Sequence, residues 1–437
     1  MYRITYFVSV LLLCWASPHG SVAQDTPARA VSQVSPADTL HLTLPEAEKL
    51  FQERNLPLLA QKTAIEASRA AILQARLFEN PVLGLEQNIY NSQNGRYFDA
   101  GKSGQNIVTL EQLVYLAGKR NKRVKVEELT TQLSEYEYFD LLRTLRYELR
   151  TNFINLHFQQ KAFTILKERT QTVQQLVTAL DGQYHKGNVP LKEITRLKAL
   201  LFSLQNQQLS LQSQIQESQA NIRLLTSTPA TTPILAEMDD MTLEKVSAQH
   251  LTYGQLLETA QENRYDLKAA ATQVDRQQAN LNLQKALAVP DLTIGGVYDR
   301  QGSFMRDYTG VTVQVPLPLW NRNQGNIKMA KHDMERSQLL LNQQQQTVEN
   351  EVMQAYQKAT EAQKLYAAFD PNFTADFNRL LEGVTTSFVR RNISLIEFLD
   401  YYETYTDSMS QLLELSSHRL QALEEINYTV GKPIINY

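Results

Sequence analysis

Cysteine is nearly absent from this chain of 437 residues, which contains only Cys14. Cys14 lies in an N-terminal apolar run, and removal of that run would leave no thiol, which excludes disulfides and cysteine-based catalysis. Glycine (16 residues) and proline (14 residues) are also scarce, which disfavours a loop-dominated or disordered chain. The formal net charge is −3, so the basic excess typical of nucleic-acid-binding proteins is missing.

The sequence also lacks the motifs of an enzyme. It contains no nucleophile motif, no glycine-rich phosphate loop and no cluster with metal-ligand spacing. The histidines outside the N-terminal run are scattered: His41, His157, His185, His250, His332 and His418. The methionines form no close group, so a soft-metal relay is not expected. We expect no cofactor, and an exported enzyme with an unrecognised site remains a disfavoured alternative.

The N-terminus predicts a cleavable signal peptide over residues 1–23. Arg3 supplies the positive charge, an apolar stretch covers 4–16, and Ser-Val-Ala precedes the predicted cleavage site. A membrane anchor is the alternative, but the apolar stretch is short for a span. A lipoprotein cysteine would need a small residue before it, whereas Leu13 precedes Cys14. The chain is therefore predicted to be exported without a lipid.

The chain contains an internal repeat. "LTLPEAEKLFQERNLPLLAQ" from Leu42 aligns with "LTYGQLLETAQENRYDLKAA" from Leu251, and "YHKGNVPLKEI" from Tyr184 aligns with "FVRRNISLIEF" from Phe388. An ordered series of matches at nearly constant offset indicates a tandem duplication. The predicted organisation is a flexible segment over 24–41, a first repeat over 42–225, a connector over 226–250, a second repeat over 251–431 and a tail over 432–437.

Each repeat contains two segments that alternate like β-strands. In one of them Val311, Val313 and Val315 are apolar, whereas Thr312 and Gln314 between them are polar. Alternation over about ten residues is typical of a transmembrane β-strand, with one face to lipid and one to water. The four predicted strands are about 81–90, 107–116, 290–300 and 308–318. Four strands cannot close a barrel, so either three chains supply twelve or the strands form a small soluble sheet.

The ends of these segments carry aromatic and helix-starting residues. The aromatic residues near strand ends are Tyr90, Tyr97, Phe98, Phe304, Tyr308 and Trp320. Such positions suit a membrane interface. Pro316 and Pro318 have no N–H for a strand ladder, so they favour the end of a strand. The predicted barrel-to-helix transition comprises Pro316, Pro318, Trp320, Gly325 and Gly118.

Long helical tracts follow each pair of strands. Leucine and isoleucine recur at spacings of three and four, which is coiled-coil patterning. The tracts are predicted to reverse near 162–170 and 366–376, giving arms of about 45 residues, or roughly 65–70 Å. The predicted equatorial helix breaks, which with the connector would form a belt, are Gly187, Asn188, Pro190, Asn392 and Ser394. A soluble coiled-coil scaffold or adaptor would explain the helices but not the strands.

The duplicated layout resembles the outer membrane factor family, the TolC-like channels, over residues 40 to 433. The resemblance rests on "VTVQVPLPLWNRNQGNIKMAKHDMERSQ", on its partner "LEQLVYLAGKRNKRVKVEELTTQ" and on the breaks at Gly187-Asn188 and Arg391-Asn392. The arrangement is most similar to the branch that includes heavy-metal efflux channels. The absence of a lipoprotein cysteine departs from some members of the family.

The resemblance implies an α+β membrane protein that assembles as a homotrimer. Four strands per chain would form a twelve-stranded outer-membrane β-barrel, continuous with a long periplasmic α-helical barrel. Such a channel would be the passive exit duct of a tripartite efflux system, set in outer-membrane lipid. Its partners would be a periplasmic adaptor (a membrane fusion protein) and an inner-membrane pump of the RND type.

The resemblance also implies a gate at the periplasmic helix ends, built from acidic residues. Asp370 and Asp376 are the candidates by position. A ring of three carboxylates would bind cations and raise its own pKa values by mutual repulsion. The alternatives are that Asp370 caps a helix and that Asp376 is simply solvated.

Overall fold

The computed structural model describes residues 39–239, 243, 246–247, 250–301, 305–369 and 373–436, so the predicted signal peptide lies outside them. The described helices are α1 (Leu44–Arg54), α2 (Leu56–Arg76), α3 (Lys119–His185), α4 (Leu191–Thr226), α5 (Tyr253–Asn263), α6 (Tyr265–Leu287), α7 (Gln324–Ala367), α8 (Phe373–Val389) and α9 (Leu395–Val430). The described strands are β1 (Leu40–Thr43), β2 (Val82–Gln87), β3 (Tyr90–Asn91), β4 (Arg96–Tyr97), β5 (Asn106–Val114), β6 (Ile234–Glu237), β7 (Leu292–Gln301) and β8 (Arg306–Gln314). The described protein is mostly helical.

The two halves begin with the same capping chemistry. Thr43 and Glu46 form a capping box at the start of α1, and Thr252 and Gln255 form one at the start of α5. A capping box satisfies backbone N–H groups that have no partner within the helix. A second helix follows at once in both halves, with Asn55 accepting a 3.1 Å hydrogen bond from the N–H of Leu58 in the first. The halves therefore share a local start as well as an element order.

The main sheet has four antiparallel strands in the order β2-β5-β7-β8. The central pair β5–β7 joins the two halves, with Val114 opposite Leu292 and Ile107 opposite Asp299. Strands β2 and β8 lie at the edges, and neither has an outer neighbour among the described residues. The sheet is open within one chain.

A second, small sheet joins the start of the described chain to the middle. Strand β1 pairs in parallel with β6, and Leu40 lies opposite Ile234. The flexible segment predicted over 24–41 is therefore wrong at its end, because residues 40 and 41 are strand; its part over 24–38 lies outside the described residues. Strand β6 falls within the predicted connector, 226–250, whose later part is only partly described.

Helix α3 is one unbroken helix of 67 residues, about 100 Å long. The reversal predicted near 162–170 is wrong. This stretch contains no glycine or proline to interrupt it, and the buried positions continue through it at helical spacing, as Leu166, Thr170, Val173 and Val177 show. The chain reverses only after His185, and α4 returns along α3.

In the second half the helix is interrupted but does not reverse. Helix α7 ends at Ala367 and α8 begins at Phe373, close to the predicted break. The contacts along α9 are Lys358 with Glu425, Tyr366 with Arg419, and Phe388 with Phe398. Partner numbers fall as these numbers rise, so α7 and α8 run in the same direction, antiparallel to α9. The reversal predicted at 366–376 is therefore wrong, and the chain turns at 390–394.

Three clusters of buried side chains hold the helices together. The first contains Phe51, Phe153 and Leu225 and lies around β1 and β6. The second joins α3, α5, α7 and α9 around residues such as Leu423. The third packs the α3–α4 hairpin against the α8–α9 hairpin, with Phe398 completely buried. The helices of the two halves are thus packed into one body on the helical side of the four-stranded sheet.

Candidate functional site

One face of the four-stranded sheet is apolar across all strands. The register places Leu83 opposite Leu110, and Ile294 opposite Val313. These side chains are exposed; Val311, on the same face, is 80 % exposed. An exposed apolar face of this extent requires an apolar surrounding or a partner. The alternation seen in the sequence therefore becomes one continuous apolar surface.

The opposite face is polar and closely packed. Thr109, Glu111 and Thr312 lie on it, in register with two glycines. A Cβ added to Gly84 would lie 2.4 Å from the hydroxyl of Thr109, and one added to Gly295 would lie 2.5 Å from that of Thr312. Glycine is therefore needed here because neighbouring side chains occupy the space. The polar face suits a water-filled interior.

The far ends of the strands carry a compact loop over residues 88–105. The Asp99 carboxylate accepts hydrogen bonds from Asn94 at 2.6 Å and from Ser103 at 2.9 Å. These hydrogen bonds lower the pKa of Asp99. Tyr90 and Tyr97 pack with ring centroids 5.0 Å apart, whereas Phe304, also predicted near a strand end, lies outside the described residues.

The near ends of β5 and β8 lead directly into α3 and α7. Gly118 and Asn323 are the residues before these helices, and both have left-handed backbone geometry, with φ of 67° and 57°. Asn323 also donates a 2.8 Å hydrogen bond to the carbonyl of Gln284. Of the predicted transition residues, Gly118 occupies this turn and Gly325 lies two residues past it. The sequence prediction missed Asn323, although asparagine is the usual substitute for glycine at such turns.

The other predicted transition residues lie on the extended segment between β8 and α7. Pro316 and Pro318 follow the last residue of β8, Gln314. Trp320 is 87 % exposed, the largest exposed fraction among the exposed large hydrophobic side chains of the described residues. Such an exposed indole suits the boundary between hydrocarbon and water.

The predicted equatorial breaks lie instead at two hairpin turns, which we call the hairpin tips (186–190 and 390–394). Gly187 and Arg391 have φ of 79° and 61° at equivalent places. The prediction of an equatorial belt at Gly187, Asn188, Pro190, Asn392 and Ser394 is wrong, because helices reverse there. The β1–β6 pair contacts α3 at His157, which is 28 residues, or about 42 Å, from the end of the helix at His185.

Polar contacts fix the geometry of the hairpin tips. Asn188 donates a 2.8 Å hydrogen bond to Gln183 in the first tip. Ser394 caps α9 through a capping box with Glu397 in the second. Within roughly two turns of the first tip, Lys198 lies 2.7 Å from Asp181, and its hydrogen bond lowers the pKa of this carboxyl.

The predicted gate residues do not lie at a hairpin tip. Asp376 is in the first turn of α8, about 20 Å along the helix from the tip at 390, and its side chain is 66 % exposed. Its carboxylate is 3.8 Å from the Arg379 guanidinium. Asp370 lies outside the described residues. The gate assignment required a reversal at 366–376, and the reversal is elsewhere.

A buried charge network connects four helices above the tips. Arg264 is 2 % exposed and donates to Asp266 and Glu351, both at 2.5 Å. Arg143 on α3 also reaches Asp266, at 3.4 Å, and donates to the carbonyl of Tyr428 at 2.8 Å. Burial acts to raise the pKa of Asp266, but the hydrogen bond and charge of Arg264 outweigh it, so the pKa of Asp266 is lowered.

A cavity of about 1010 Å³ lies between α3, β6, α7 and α9. His157 at its wall is buried, with Nδ1 3.0 Å from the carbonyl of Ala236. Arg419 donates to the carbonyl of Leu243 at 2.6 Å and stacks on Tyr366. Within the described residues, histidine, cysteine and carboxylate side chains do not gather in threes as a metal site would need. No helix in the described ranges is both long and apolar enough to cross a membrane.

Comparison with known proteins identifies the family. The family model described as "Outer membrane efflux protein" matches the chain twice, over 49–228 and over 256–432. The chain belongs to the outer membrane efflux protein family. It is the outer-membrane exit duct of a tripartite efflux system and is not an enzyme. The alternative of a periplasmic scaffold without a pore is thereby set aside.

Relatives of this efflux protein include one curated protein that matches over nearly the whole chain. It is the cobalt-zinc-cadmium resistance protein CzcC of Cupriavidus metallidurans, 23 % identical, with 97 % of this chain and 98 % of CzcC covered. A membrane protein of Pseudomonas aeruginosa has the same fold, with a TM-score of 0.72 at 15 % identity, covering 89 % of this chain and 92 % of that one. The CmeC outer membrane channel of Campylobacter jejuni gives 0.71 at 14 % identity, covering 89 % and 85 %.

Proposed function

We propose that three copies of the chain close their sheets into one twelve-stranded barrel. The open sheet carries this proposal: edges β2 and β8 have no outer neighbour among the described residues, and the apolar face is exposed. Unpaired strand edges cannot persist in hydrocarbon, so the edge β2 of one copy must pair with the edge β8 of the next. Twelve strands form a workable even-numbered barrel, and β7, with ten residues, has the length of a tilted membrane strand.

The proposed barrel lies in the outer membrane with its apolar face in the lipid and its polar face lining the duct. The helices then extend into the periplasm, and the loop at 88–105 lies outside the cell. Residues 1–23 are removed as a signal peptide during export, and 42–225 and 251–431 form two structural repeats joined by an equatorial connector at 226–250. The hairpin tips, at the far end of the helices, are where the duct meets its partners.

The proposed cargo is a divalent heavy-metal cation, delivered by an RND-type inner-membrane pump and a periplasmic adaptor. The support is the similarity to CzcC along almost the whole of both chains. The cation passes as substrate and is not held as a cofactor. Deleting the gene should make the host more sensitive to cobalt, zinc or cadmium, and the full chain should restore resistance. If metal tolerance is unchanged and tolerance to organic compounds is lost, the proposal of a metal cargo is contradicted, whereas the role as an exit duct is not.

Electron microscopy of the protein solubilised from outer membranes tests the architecture. The expected particle is a threefold tube longer than roughly 100 Å, since α3 alone is of that length. The protein should also be found in the outer-membrane fraction. A monomeric rod in the soluble fraction would overturn the proposal, because the sheet would then be neither closed nor in lipid.

A further inference from the structure

We propose that the helix-side rim of the sheet binds anionic phospholipid of the leaflet that faces the helices. The proposal rests on the proposed function, because it places the sheet in a membrane. The rim comprises four segments where strands and helices meet: 76–81, 114–123, 285–292 and 314–328. Its basic side chains, which we call the basic collar, are Arg76, Lys119, Arg120, Lys122, Arg123, Lys285, Arg322 and Lys328.

The basic collar is specific to one end of the sheet. The rim segments contain these eight basic residues and two acidic ones, Glu79 and Asp291. The two stretches at the opposite end, 88–105 and 298–308, contain four basic and three acidic residues. The larger excess of positive charge therefore lies where the apolar face ends and the helices begin, since the other end has only one more basic residue than acidic residues.

Most of the basic collar has no carboxylate partner. Lys119 lies 2.7 Å from Asp291, and Arg76 lies 3.5 Å from Glu128. The remaining six make no ion pair within the described residues: Arg120, Lys122, Arg123, Lys285, Arg322 and Lys328. Unpaired cations grouped at a membrane boundary attract anionic headgroups.

The helix starts make this charge distribution more unusual. Neither α3 nor α7 has an acidic residue in its first turn, and α3 begins with Lys119 and Arg120. The N-terminus of a helix favours negative charge and disfavours cations. Helix stability alone therefore does not account for cations at both starts. Asp291 already pairs with Lys119, and an external anion at the rim would neutralise the cations that have no such partner.

Apolar side chains border the basic collar as an amphipathic ligand would require. The guanidinium of Arg120 lies 4.1 Å from the centre of the Phe78 ring, which is 69 % exposed. Beside them is a cavity of about 530 Å³, lined by Phe78, Tyr115 and Arg120 among others. In the second half, Trp320 of the rim segment 314–328 is exposed as well. A phospholipid could place acyl chains on the apolar face and its phosphate against the arginine fork.

Lipid retention by the full chain tests this site. The trimer is reconstituted in an equal mixture of phosphatidylglycerol and phosphatidylcholine, extracted in mild detergent, and its retained lipid is quantified by mass spectrometry. Phosphatidylglycerol should be enriched on the native protein. The triple variant Arg120→Gln, Lys122→Gln, Arg123→Gln should reduce that enrichment roughly tenfold or more, since each cation near an anionic surface contributes measurably. The matched control Arg96→Gln, Lys102→Gln, Arg306→Gln removes equal charge at the opposite end and should keep the enrichment.

Electron microscopy of each protein separates the possible failures. If the threefold tube forms but the native protein has no preference for phosphatidylglycerol, the collar proposal is overturned and the exit duct stands. Equal loss in the control, or no loss in the triple variant, overturns it too. If the native chain forms no tube, both proposals fall. If the triple variant does not assemble, the double variant Arg322→Gln with Lys328→Gln tests the same rim from the second half. A reduced enrichment of phosphatidylglycerol supports the proposal, and an unchanged enrichment overturns it.

Discussion

Arg264 shows how a charge can be buried in this fold without being isolated. It lies between α5 and α6, is 2 % exposed, and donates to two carboxylates and to the carbonyl of Thr429. Gly431 takes φ of 75° beside it, and a Cβ there would lie 3.2 Å from Arg264. The end of α9 thus contacts Arg264 twice, through the Thr429 carbonyl that accepts from the guanidinium and through Gly431, which packs against the Arg264 backbone and Cγ.

Removing that guanidinium should be costly. Arg264→Ala leaves Asp266 and Glu351 without their main partner, and breaking a buried pair costs about 3–5 kcal/mol. We expect a clear drop in the melting temperature of the purified protein. The control Arg69→Ala removes an exposed 2.7 Å pair with Glu135 and should cost about 1 kcal/mol or less. Similar melting temperatures for the two variants would contradict the role of the network.

Asp266 predicts a pH dependence of stability. Its folded pKa is lowered, so its stabilising contribution is complete above the unfolded value of 3.8 and is lost as pH falls through the lower folded value. Asp266→Asn should therefore melt well below the native protein at pH 6, and the gap should shrink below about pH 4. Asp376→Asn, at a 66 % exposed carboxylate, should match the native protein at both pH values. If the difference in melting temperature between the native protein and Asp266→Asn stays constant down to pH 3, the stabilising role of the ionised Asp266 is refuted.

At the scale of elements, the hairpin tips depend on backbone geometry. Gly187 has φ of 79° with no atom near its absent Cβ, so the cost of Gly187→Ala is conformational, about 1–2 kcal/mol. Gly182 lies inside α3, also with open space around it, and Gly182→Ala should stabilise the helix by about 0.5–1 kcal/mol. Hydrogen exchange of residues 180–195 should therefore change in opposite directions. Changes of the same sign would show that the turn does not depend on left-handed geometry.

Local chemistry explains which elements the sequence revealed. Alternation placed four strands, and those observed fall within a few residues of the predicted segments, because one face is apolar in every strand. The reversal of the helices was misplaced because the sequence analysis predicted breaks at 162–170 and 366–376, one in each repeat, and treated both as turns. In fact α3 has no interrupting residue there. The sequence marked Gly187 and Arg391 as positions where helices break. It did not show that the chain reverses there, because the reversal is defined by contacts between helices that are distant in the sequence.

The residues of the functional surfaces, too, could be predicted only where a local sequence pattern marks them. Gly118 could be predicted as a junction residue, since glycine before a helix is a local signal. Asn323 performs the same turn and was missed because asparagine is common elsewhere. The prediction of a gate at Asp376 is wrong because it depended on where helices that are far apart in the sequence reverse direction. The sheet closure involves other copies of the chain, and no local pattern specifies their register.

At the scale of the whole molecule, closure of the barrel predicts which strands meet between copies. The thiol pair Leu85→Cys and Val311→Cys places one cysteine on each edge strand, on the apolar face. A short bifunctional thiol reagent should join chains into dimers and trimers, seen on a denaturing gel. The control pair Val108→Cys and Ile294→Cys, on β5 and β7, should stay monomeric because those strands pair within one chain. Trimers from the control pair together with monomers from the edge pair would contradict the proposed order.

The unbroken α3 has a mechanical consequence. From its contact with β6 at His157 to its end at His185 it is a rigid arm of about 42 Å. A helix without a kink transmits rotation along its whole length instead of absorbing it. A tilt of about five degrees about the β6 contact would therefore displace the hairpin tip by roughly 4 Å, the width of an amino-acid side chain. A slight repacking of α3 against the small sheet would therefore be felt at the hairpin tip, about 42 Å away, as a displacement of that size.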